Sequence, residues 1–308
     1  MGLKRVVRNG IGTILAWMLI SLGRLKNAKH MAFSQNVILP IAFHNPDKKL
    51  FSRTILWLRK NGFVFLSLNQ LIDIIIHKTA CPQGAVWISL DDGWKDNIEH
   101  VIPAVVKLDI PVTIFICTGA VEEGTFWWRK VQICPKAILK ESSKVETLKQ
   151  IPESERQEII GQIDRACNTF PREAMSIEEV KNIASIPQVT IGTHTVSHPI
   201  LPNCPDDQIE YELKESKRKL EGWTGKKIIA FAYPNGSFDG REKRILETCG
   251  YKFAATTESK FATADTNAYL FPRHVVMDDG SFSENLCHAL GVWQTVVKRL
   301  KLLAGKTV

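Results

Sequence analysis

The sequence predicts an α/β fold, an irregular (β/α) barrel of roughly seven or eight strands. Short apolar runs rich in β-branched residues alternate with amphipathic stretches of helical length along most of the chain. This rhythm is typical of a parallel sheet with helical crossovers. The chain has 308 residues, of which 44% are hydrophobic, so it can bury a sizeable core without a covalent staple.

The barrel is predicted to occupy residues 37–276, with its elements in chain order. The expected strands are 37–43, 63–66, 86–90, 112–117, 189–191, 228–232, 252–255 and 270–276. The expected helices are 48–60, a helix capped by Ser67, 98–108, 206–221 and 240–248.

Residues 118–187 interrupt this rhythm. They contain Phe126-Trp127-Trp128-Arg129, a predicted helix over 153–167 and another that begins at the capping box Ser176-x-x-Glu179. We interpret the segment as an insertion that covers one side of the site, and not as a separate domain.

The positive charge lies at the two ends of the chain. The sequence has 40 Lys and Arg against 32 Asp and Glu, a formal charge of +8. Six basic and no acidic residues lie within 1–30, and four basic and no acidic residues lie within 285–308. The rest of the chain therefore has 30 basic and 32 acidic residues, a net charge of −2. This distribution argues against a nucleic-acid partner.

Residues 1–30 are predicted to form a basic, apolar helix. Its apolar stretch, 11–22, is shorter than the roughly 18–20 residues that cross a bilayer, and no signal-peptidase site follows it. Two interpretations stay open: a helix on an anionic membrane surface, or a helix packed on the barrel. The same two apply to an amphipathic helix expected over 283–308. We expect a cytoplasmic protein, peripheral on the inner face of the membrane if the first helix binds lipid.

The seven cysteines are scattered and form no Cys-x-x-Cys pair. This pattern argues against a disulfide framework and against a zinc ribbon. We expect most of them to be small buried hydrophobic residues in a reducing compartment.

Polar clusters follow three of the predicted strands. They are Asp91-Asp92-Gly93, His194-Thr-Val-Ser-His198-Pro and Tyr233-Pro-Asn235-Gly236. Each of them alone could be an ordinary turn. In a parallel α/β fold, however, the carboxyl ends of the strands meet at one edge. One carboxylate and two imidazoles make a three-ligand hydrolytic metal site, and a second carboxylate could accept a proton from water.

In sequence and order these clusters resemble the first three motifs of the polysaccharide deacetylases, the NodB homology or carbohydrate esterase 4 family. The resemblance covers roughly residues 37–276. It implies a NodB-like distorted (β/α) barrel that removes N-acetyl, sometimes O-acetyl, groups from sugars with a divalent metal. Carried over, Asp91 is the general base, and Asp92, His194 and His198 are the metal ligands. The N–H of Asn235 would help to hold the oxyanion.

Zn²⁺ is the expected ion, and the same donor set also suits Co²⁺, Ni²⁺ and Fe²⁺. Tyr233 and Trp127 are the further predicted substrate contacts. Because Trp127 and Trp128 are adjacent, we expect one of them to pack inward.

The sequence departs from the family pattern in two places. Ala232 stands where the family usually has an Arg that orients the catalytic Asp. Arg273 could supply that charge, or it could form a surface ion pair. The general acid, usually a His in a late Leu-x-His motif, is also open. Leu286-Cys287-His288 fits the letters but lies in a helical stretch, so His44, at the end of the first strand, is the preferred candidate.

The predicted function is removal of acetyl groups from a sugar in polysaccharide or glycolipid biosynthesis. The expected partners are an acetylated sugar, a polysaccharide or a lipid-linked glycan, together with an anionic membrane surface. One alternative is an amidase that acts on a small non-sugar substrate. Another is a catalytically silent carbohydrate-binding module, which the missing Arg and the unassigned acid both permit.

Overall fold

The protein is described by a computed structural model over residues 3–135, 144–167 and 169–296. The helices are α1 (Leu3–Ser21), α2 (Arg24–Ala32), α3 (Lys48–Lys60), α4 (Leu68–Ile76), α5 (Asn97–His100), α6 (Ile102–Lys107), α7 (Thr118–Glu123), α8 (Trp127–Ile133), α9 (Val145–Leu148), α10 (Glu153–Ala166), α11 (Ile177–Ala184), α12 (Asp206–Thr224), α13 (Glu242–Thr248) and α14 (Phe282–Ala289). The strands are β1 (Val37–Phe43), β2 (Val64–Leu66), β3 (Ala85–Leu90), β4 (Val112–Ile116), β5 (Val189–Thr193), β6 (Ala230–Ala232), β7 (Phe253–Ala255), β8 (Ala262–Thr263) and β9 (His274–Val275). Short 3₁₀ turns lie at Leu201–Asn203 and Pro234–Gly236.

The chain divides into two compact units. Unit 1 comprises Met1–Leu90, Glu99–Thr113 and Thr257–Val308. Unit 2 comprises Asp91–Ile98 and Ile114–Thr256. All three predicted polar clusters belong to unit 2.

The sheet of unit 1 is built around β1. This strand pairs in parallel with β3, from Ile38 opposite Ala85 to Phe43 opposite Leu90. The short strands β2 and β9 also run parallel to their partners, β3 and β1, whereas β8 pairs with β1 in antiparallel orientation. All residues of β3 and all but the first of β1 are buried. Burial on both faces explains why these strands are continuous apolar runs in the sequence.

Within unit 2 the strands β5, β6 and β7 pair in parallel. Small residues allow close packing here. A Cβ on Gly192 of β5 would lie 2.5 Å from Phe115 Cδ1 and 3.0 Å from the carbonyl oxygen of Ala230. Gly192 therefore lets the Phe115 ring pack directly against the strand that carries His194 at its end.

The segment predicted as an insertion forms the helices α7 to α11, which pack within unit 2. Its apolar cluster consists of Trp127, Val131, Cys134, Leu148, Ile160 and Ile163. The Ser176 capping box is present, since Glu179 N donates to Ser176 Oγ at 3.2 Å and Ser176 N donates to Glu179 Oε2 at 2.7 Å. The predicted start of α11 is therefore confirmed.

Several predicted elements differ in detail from the structure. The helix expected over 98–108 is divided into α5 and α6 at Val101, because Pro103 fits the first turn of a helix but not its interior. The strand expected over 270–276 contains only the short β9. Arg273 N donates instead to the carbonyl of Glu258 at 3.0 Å, outside the ladder. β8 was not predicted, because two residues carry no periodic pattern.

The N-terminal segment forms two helices, and Gly23 separates them with a φ of 71°. One side of α1 packs on α14: Arg8 Nη2 lies 2.9 Å from Glu284 Oε1, and a Cβ on Gly12 would lie 2.6 Å from Glu284 Oε2. The other side is apolar and more than half exposed at Val7, Ile11, Ile14, Trp17 and Met18. Within the described residues no helix combines the length and hydropathy of a bilayer span. Of the helix expected over 283–308, α14 covers the beginning, and 297–308 lie outside the described residues.

Candidate metal centre

Three buried side chains of unit 2 converge on one point. Asp92, His194 and His198 are 4%, 1% and 7% exposed, respectively. One potential ligand atom from each lies within 4.8 Å of the others. Asp92 Oδ1 is 3.4 Å from His194 Nε2 and 3.5 Å from His198 Nε2. The fold thus brings the three predicted ligands together from two loops that are about a hundred residues apart in the sequence.

The hydrogen bonding of these residues fits a divalent cation. His194 Nδ1 is 2.7 Å from the carbonyl oxygen of Ala232, which can only accept, so Nδ1 carries the proton and Nε2 presents a lone pair. Asp92 Oδ1 is buried and has no hydrogen-bond donor among the residues that the structure describes. The lone pair of His194 Nε2 and the Asp92 Oδ1 oxygen therefore face one another, and a cation bound between them would replace their repulsion with ligation. Two imidazoles and a carboxylate are donors that Zn²⁺ accepts readily.

The second oxygen of Asp92 is held by an aromatic residue. Trp94 Nε1 donates to Asp92 Oδ2 at 2.9 Å, and the Trp94 ring packs against Phe126 with centroids 4.3 Å apart. This contact fixes the carboxylate so that Oδ1 is directed at the imidazoles. Trp94 was not predicted as a site residue, although its position two residues after Asp92 was a signal that could have indicated it.

The backbone of the site is left-handed at four residues other than glycine. Asp92, Thr195, His198 and Asn235 have φ values of 73°, 66°, 53° and 53°. Such residues are uncommon, and each costs on the order of 1–3 kcal/mol unless the surroundings compensate. One local compensation is visible, because His198 N donates to Thr195 Oγ1 at 3.0 Å. Strained backbone concentrated at a polar cluster is typical of a functional site.

A buried glutamate of α12 holds the loop between the two histidines. Glu212 Oε2 accepts hydrogen bonds from Val196 N at 2.6 Å and Ser197 N at 3.0 Å, and Glu212 Oε1 accepts one from Ser197 Oγ at 2.6 Å. Burial raises the pKa of Glu212, and these three donors oppose that shift. The side chain therefore satisfies backbone N–H groups that the irregular loop could not satisfy by itself.

The helices α8 and α10 hold the other end of the same loop. The carbonyl oxygen of His198 accepts hydrogen bonds from Trp127 Nε1 and from Arg156 Nη1, each at 3.1 Å. Arg156 also forms an ion pair with Glu153 at 2.5 Å, and its guanidinium lies 4.4 Å from the Trp127 ring centroid. Trp127, predicted as a substrate contact, is instead buried, because its indole N–H reaches this carbonyl. Its neighbour Trp128 is half-buried and faces the His198 ring at 4.6 Å.

The other predicted residues of unit 2 are placed as follows. Asp91 is buried and directly precedes Asp92. Asn235 is exposed in the 3₁₀ turn after β6. Tyr233 is buried: its N–H donates to the carbonyl of Ala255 at 3.0 Å, and its ring packs on Phe231. Burial leaves Tyr233 little surface for a sugar, whereas the roles of Asp91 and Asn235 stay predictions.

Three predicted or candidate residues lie in unit 1. His44 directly follows β1 and is half-buried. Arg273 is fully buried and donates from Nη1 to Ser89 Oγ at 3.0 Å, so the interpretation as a surface ion pair is wrong. His288 lies on α14, where it stacks on Trp293 at 5.1 Å between centroids. Burial lowers the pKa of His288 to about 4.

Comparison with known proteins adds a family match and a fold match. The family model described as polysaccharide deacetylase matches residues 78–254, more than half of the 308 residues. The poly-beta-1,6-N-acetyl-D-glucosamine N-deacetylase of Staphylococcus aureus is 24% identical over 236 residues, which cover 77% of this chain and 69% of that protein.

Two solved structures resemble the chain over most of its length. The deacetylase PplD of Streptococcus pyogenes, in complex with acetate, matches with a TM-score of 0.62 at 19% identity, covering 83% of this chain and 99% of that one. IcaB from Ammonifex degensii matches with a TM-score of 0.61 at 19% identity, covering 83% and 97%. This likeness shows the fold, and it confirms the predicted fold class.

Proposed function

Because the chain belongs to the polysaccharide deacetylase family, and is therefore a hydrolase of C–N bonds other than peptide bonds, we propose that it removes N-acetyl groups from an amino-sugar polysaccharide with the help of a divalent metal. One observation carries the proposal: a buried carboxylate oxygen faces two imidazole nitrogens and has no donor of its own among the described residues. A second buried carboxylate, Asp91, is its neighbour in the chain.

The residues divide the proposed chemistry between them. Asp92, His194 and His198 would hold the cation, with Zn²⁺ as the expected ion. When bound, the cation supplies Lewis acidity to the acetyl carbonyl and to the attacking water. Asp91 accepts the proton of that water, and the N–H of Asn235 donates to the oxygen that becomes negative. Trp128, which is half-buried beside His198, offers a ring face for the sugar.

The general base is tested with Asp91→Asn. The amide cannot accept the proton, so release of acetate from a β-1,6-linked N-acetylglucosamine oligosaccharide should fall by about 10²–10⁴. Affinity for Zn²⁺, measured by calorimetry, should change little, whereas Asp92→Asn should lose the metal. Acetate release by Asp91→Asn at the original rate would refute the assignment. Measuring free amine together with acetate, on N-acetylated and O-acetylated sugars, separates amide from ester hydrolysis.

A general acid is needed because an amine is a poor leaving group without a proton, and His44 stays the residue that the sequence predicts for this role. His44→Gln should lower turnover of the N-acetyl substrate and remove the alkaline limb of the pH profile. Turnover of an O-acetyl substrate should fall less, since an alcohol leaves more readily. The matched control is His288→Gln, whose ring already stacks on Trp293. An unchanged alkaline limb in His44→Gln would exclude this role.

The proposed location is the cytoplasmic face of an anionic membrane. The exposed apolar face of α1 supports it, together with the six basic and no acidic residues of 1–30. A protein in this position could act on a lipid-linked glycan.

Binding to phosphatidylglycerol vesicles, measured by co-sedimentation, tests this location. The double variant Ile11→Glu, Ile14→Glu should sediment much less than the parent protein. The control, Val106→Glu, changes an exposed apolar residue of α6 and should have no effect. Equal sedimentation of all three proteins would refute membrane docking through α1.

A further inference from the structure

We infer that a cavity in unit 1 binds one acyl chain of an anionic phospholipid. The cavity has a volume of about 580 Å³ and is lined by α1, α2, residues 259–261, His274 and residues 290–296. This volume lies within the roughly 300–1,000 Å³ of small-molecule sites. The inference rests on the proposed membrane location and gives it a defined lipid site.

The walls of the cavity are largely apolar. Leu19 and Leu22 contribute from α1 and the turn after it, Met31 from α2, and Phe261 and Leu290 from the C-terminal part of unit 1. Leu22 is 69% exposed and Met31 is 56% exposed, so apolar surface continues from the cavity to the outside. An acyl chain would remove this apolar surface from water, which stabilises the bound state by about 25 cal/mol per Å² of buried surface.

The charge at the cavity selects a negative headgroup. Arg24, at the first position of α2, lines the cavity and is exposed. Lys260, the other basic residue there, is paired with Glu258 at 2.7 Å. Over the described part of the chain no acidic side chain lines the cavity. The first turn of α2 has no side-chain cap, since Gly23 precedes it, so its positive end is open to an anion.

A buried histidine in the same wall provides a second and independent indication of a ligand. His274 is 1% exposed, and its Nδ1 is 2.7 Å from Ser259 Oγ. Its Nε2 is buried and has no hydrogen-bond partner within the described ranges. Burial lowers the pKa of His274 to about 4, so the ring is neutral at pH 7. Together with Asn27 it offers uncharged polar contacts for the glycerol part of a lipid.

The bound phospholipid would extend from the cavity to the side of α1 that we propose faces the membrane. Leu19 lies in α1, the helix that exposes Ile14 and Met18, and Leu22 directly follows this helix. A helix in the interface of a bilayer lies at the depth where headgroups meet acyl chains. A phospholipid with its phosphate at Arg24 and one acyl chain in the cavity therefore fits the same orientation.

The test uses the full-length protein and a fluorescent lysophosphatidylglycerol below its micelle concentration, so that monomer binding is measured without a bilayer. The parent protein should bind one molecule saturably. Ala28→Trp, which fills the cavity, should weaken binding at least tenfold. Arg24→Gln, a change of an exposed side chain, should weaken binding about tenfold for this probe and little for lysophosphatidylcholine.

The control variant is Ile14→Glu, which lies outside the cavity lining. It should lower sedimentation with vesicles but leave monomer binding unchanged, so that failure of the cavity and failure of membrane docking are distinguishable. Unfolding temperatures confirm that the variants fold. Absence of monomer binding by the parent protein, or equal binding by Ala28→Trp, would overturn the inference. Palmitate binding as tightly, with the same dependence on Arg24, would overturn the assignment to a phospholipid.

Discussion

The carbonyl oxygen of His198 shows how a single backbone atom can support the candidate metal site. It accepts one hydrogen bond from Trp127 and one from Arg156, and both donors are buried. Because His198 has a φ of 53°, its backbone needs such support to keep the imidazole in place. The two donors belong to α8 and α10, so the segment predicted as an insertion positions His198, one of the predicted metal ligands.

Trp127→Phe tests this support with a small change. A phenyl ring replaces the two fused rings of the indole, so the N–H donor and part of the ring volume are lost, and we expect affinity for Zn²⁺ to fall about tenfold, the equivalent of one buried hydrogen bond. Calorimetric titration measures this without reference to turnover. Arg156 is a less suitable target, because its removal would leave Glu153 with a buried charge.

The matched control is the adjacent Trp128→Phe. Trp128 contacts the His198 ring and not its carbonyl, so metal affinity should be retained and KM for the oligosaccharide should rise. Equal metal affinity in the two variants would contradict the assigned support by Trp127.

The sequence predicted the three residues that converge in unit 2 but not the residues that support them. Asp92, His194 and His198 stand out because their motifs follow strands. Glu212 and Arg156 do not, because a supporting contact has no fixed spacing, and Trp94 was indicated only by its position two residues after Asp92. Arg156, for example, is 42 positions from the residue that it supports. Trp127 was predicted as a sugar contact from its residue type, but its indole N–H donates to the carbonyl oxygen of His198 in the interior.

Among the elements, α12 has the most direct effect on the site. Its Glu212 holds Val196 and Ser197 through three hydrogen bonds, and thereby sets the shape of the loop between both histidines. The carboxylate is acceptor-only, which suits three donors, whereas an amide would turn its NH₂ group toward at least one of them.

Glu212→Gln should therefore lower the free energy of unfolding by about 1–3 kcal/mol, the cost of a buried donor left unsatisfied. Metal affinity should fall as well, because His194 and His198, the two histidines of the proposed metal site, lie at the ends of this loop. Urea unfolding and metal titration measure the two effects. Glu215→Gln, on the same helix and paired with Arg218 near the surface, is the control and should change neither. Unchanged metal binding in Glu212→Gln would contradict this role.

Prediction of elements succeeded where a pattern was long. Periodicity indicated β1 and α3 with their observed bounds, and a capping box indicated α11. It missed β8, and it extended the strand that contains β9 beyond the observed His274–Val275, because a strand of two residues carries no alternating pattern. The break between α1 and α2 depends on the left-handed backbone of Gly23. The sequence alone does not show that this glycine will adopt that conformation.

For the whole molecule, buried histidines set the response of stability to acid. Burial lowers the pKa of His274 and His288 to about 4, from an ordinary value of 6.5. Arg8 adds to the lowering at His288. A histidine with a lowered pKa in the folded state contributes stability above pH 6.5, and this contribution is lost as the pH falls toward 4.

The metal-free protein should therefore lose about 2–3 kcal/mol per ring between pH 7.5 and 4.5. His288→Gln should unfold with a shallower dependence on pH, because one of the two rings is removed. Urea midpoints at the two pH values measure this. An identical pH dependence in the variant and the parent protein would show that His288 is not a source of the acid sensitivity.

The distribution of charge and the fold class were accessible from the sequence as a whole, because both are sums over many residues. The three family motifs indicated which residues to expect in the site, and the likeness to solved deacetylase structures confirms the fold class. The cavity of unit 1 was not accessible, since its lining comes from segments more than two hundred residues apart.

The left-handed residues of the site also affect how the protein can change over generations. At a φ near 60°, glycine is the replacement that the backbone accepts most easily. The proposed chemistry requires a carboxylate at Asp92 and an imidazole at His198, against that preference. A duplicated gene that no longer needs this chemistry should therefore drift toward glycine at these two positions early. At Asn235, where only the backbone N–H is used in the proposed chemistry, glycine should be found in active relatives as well.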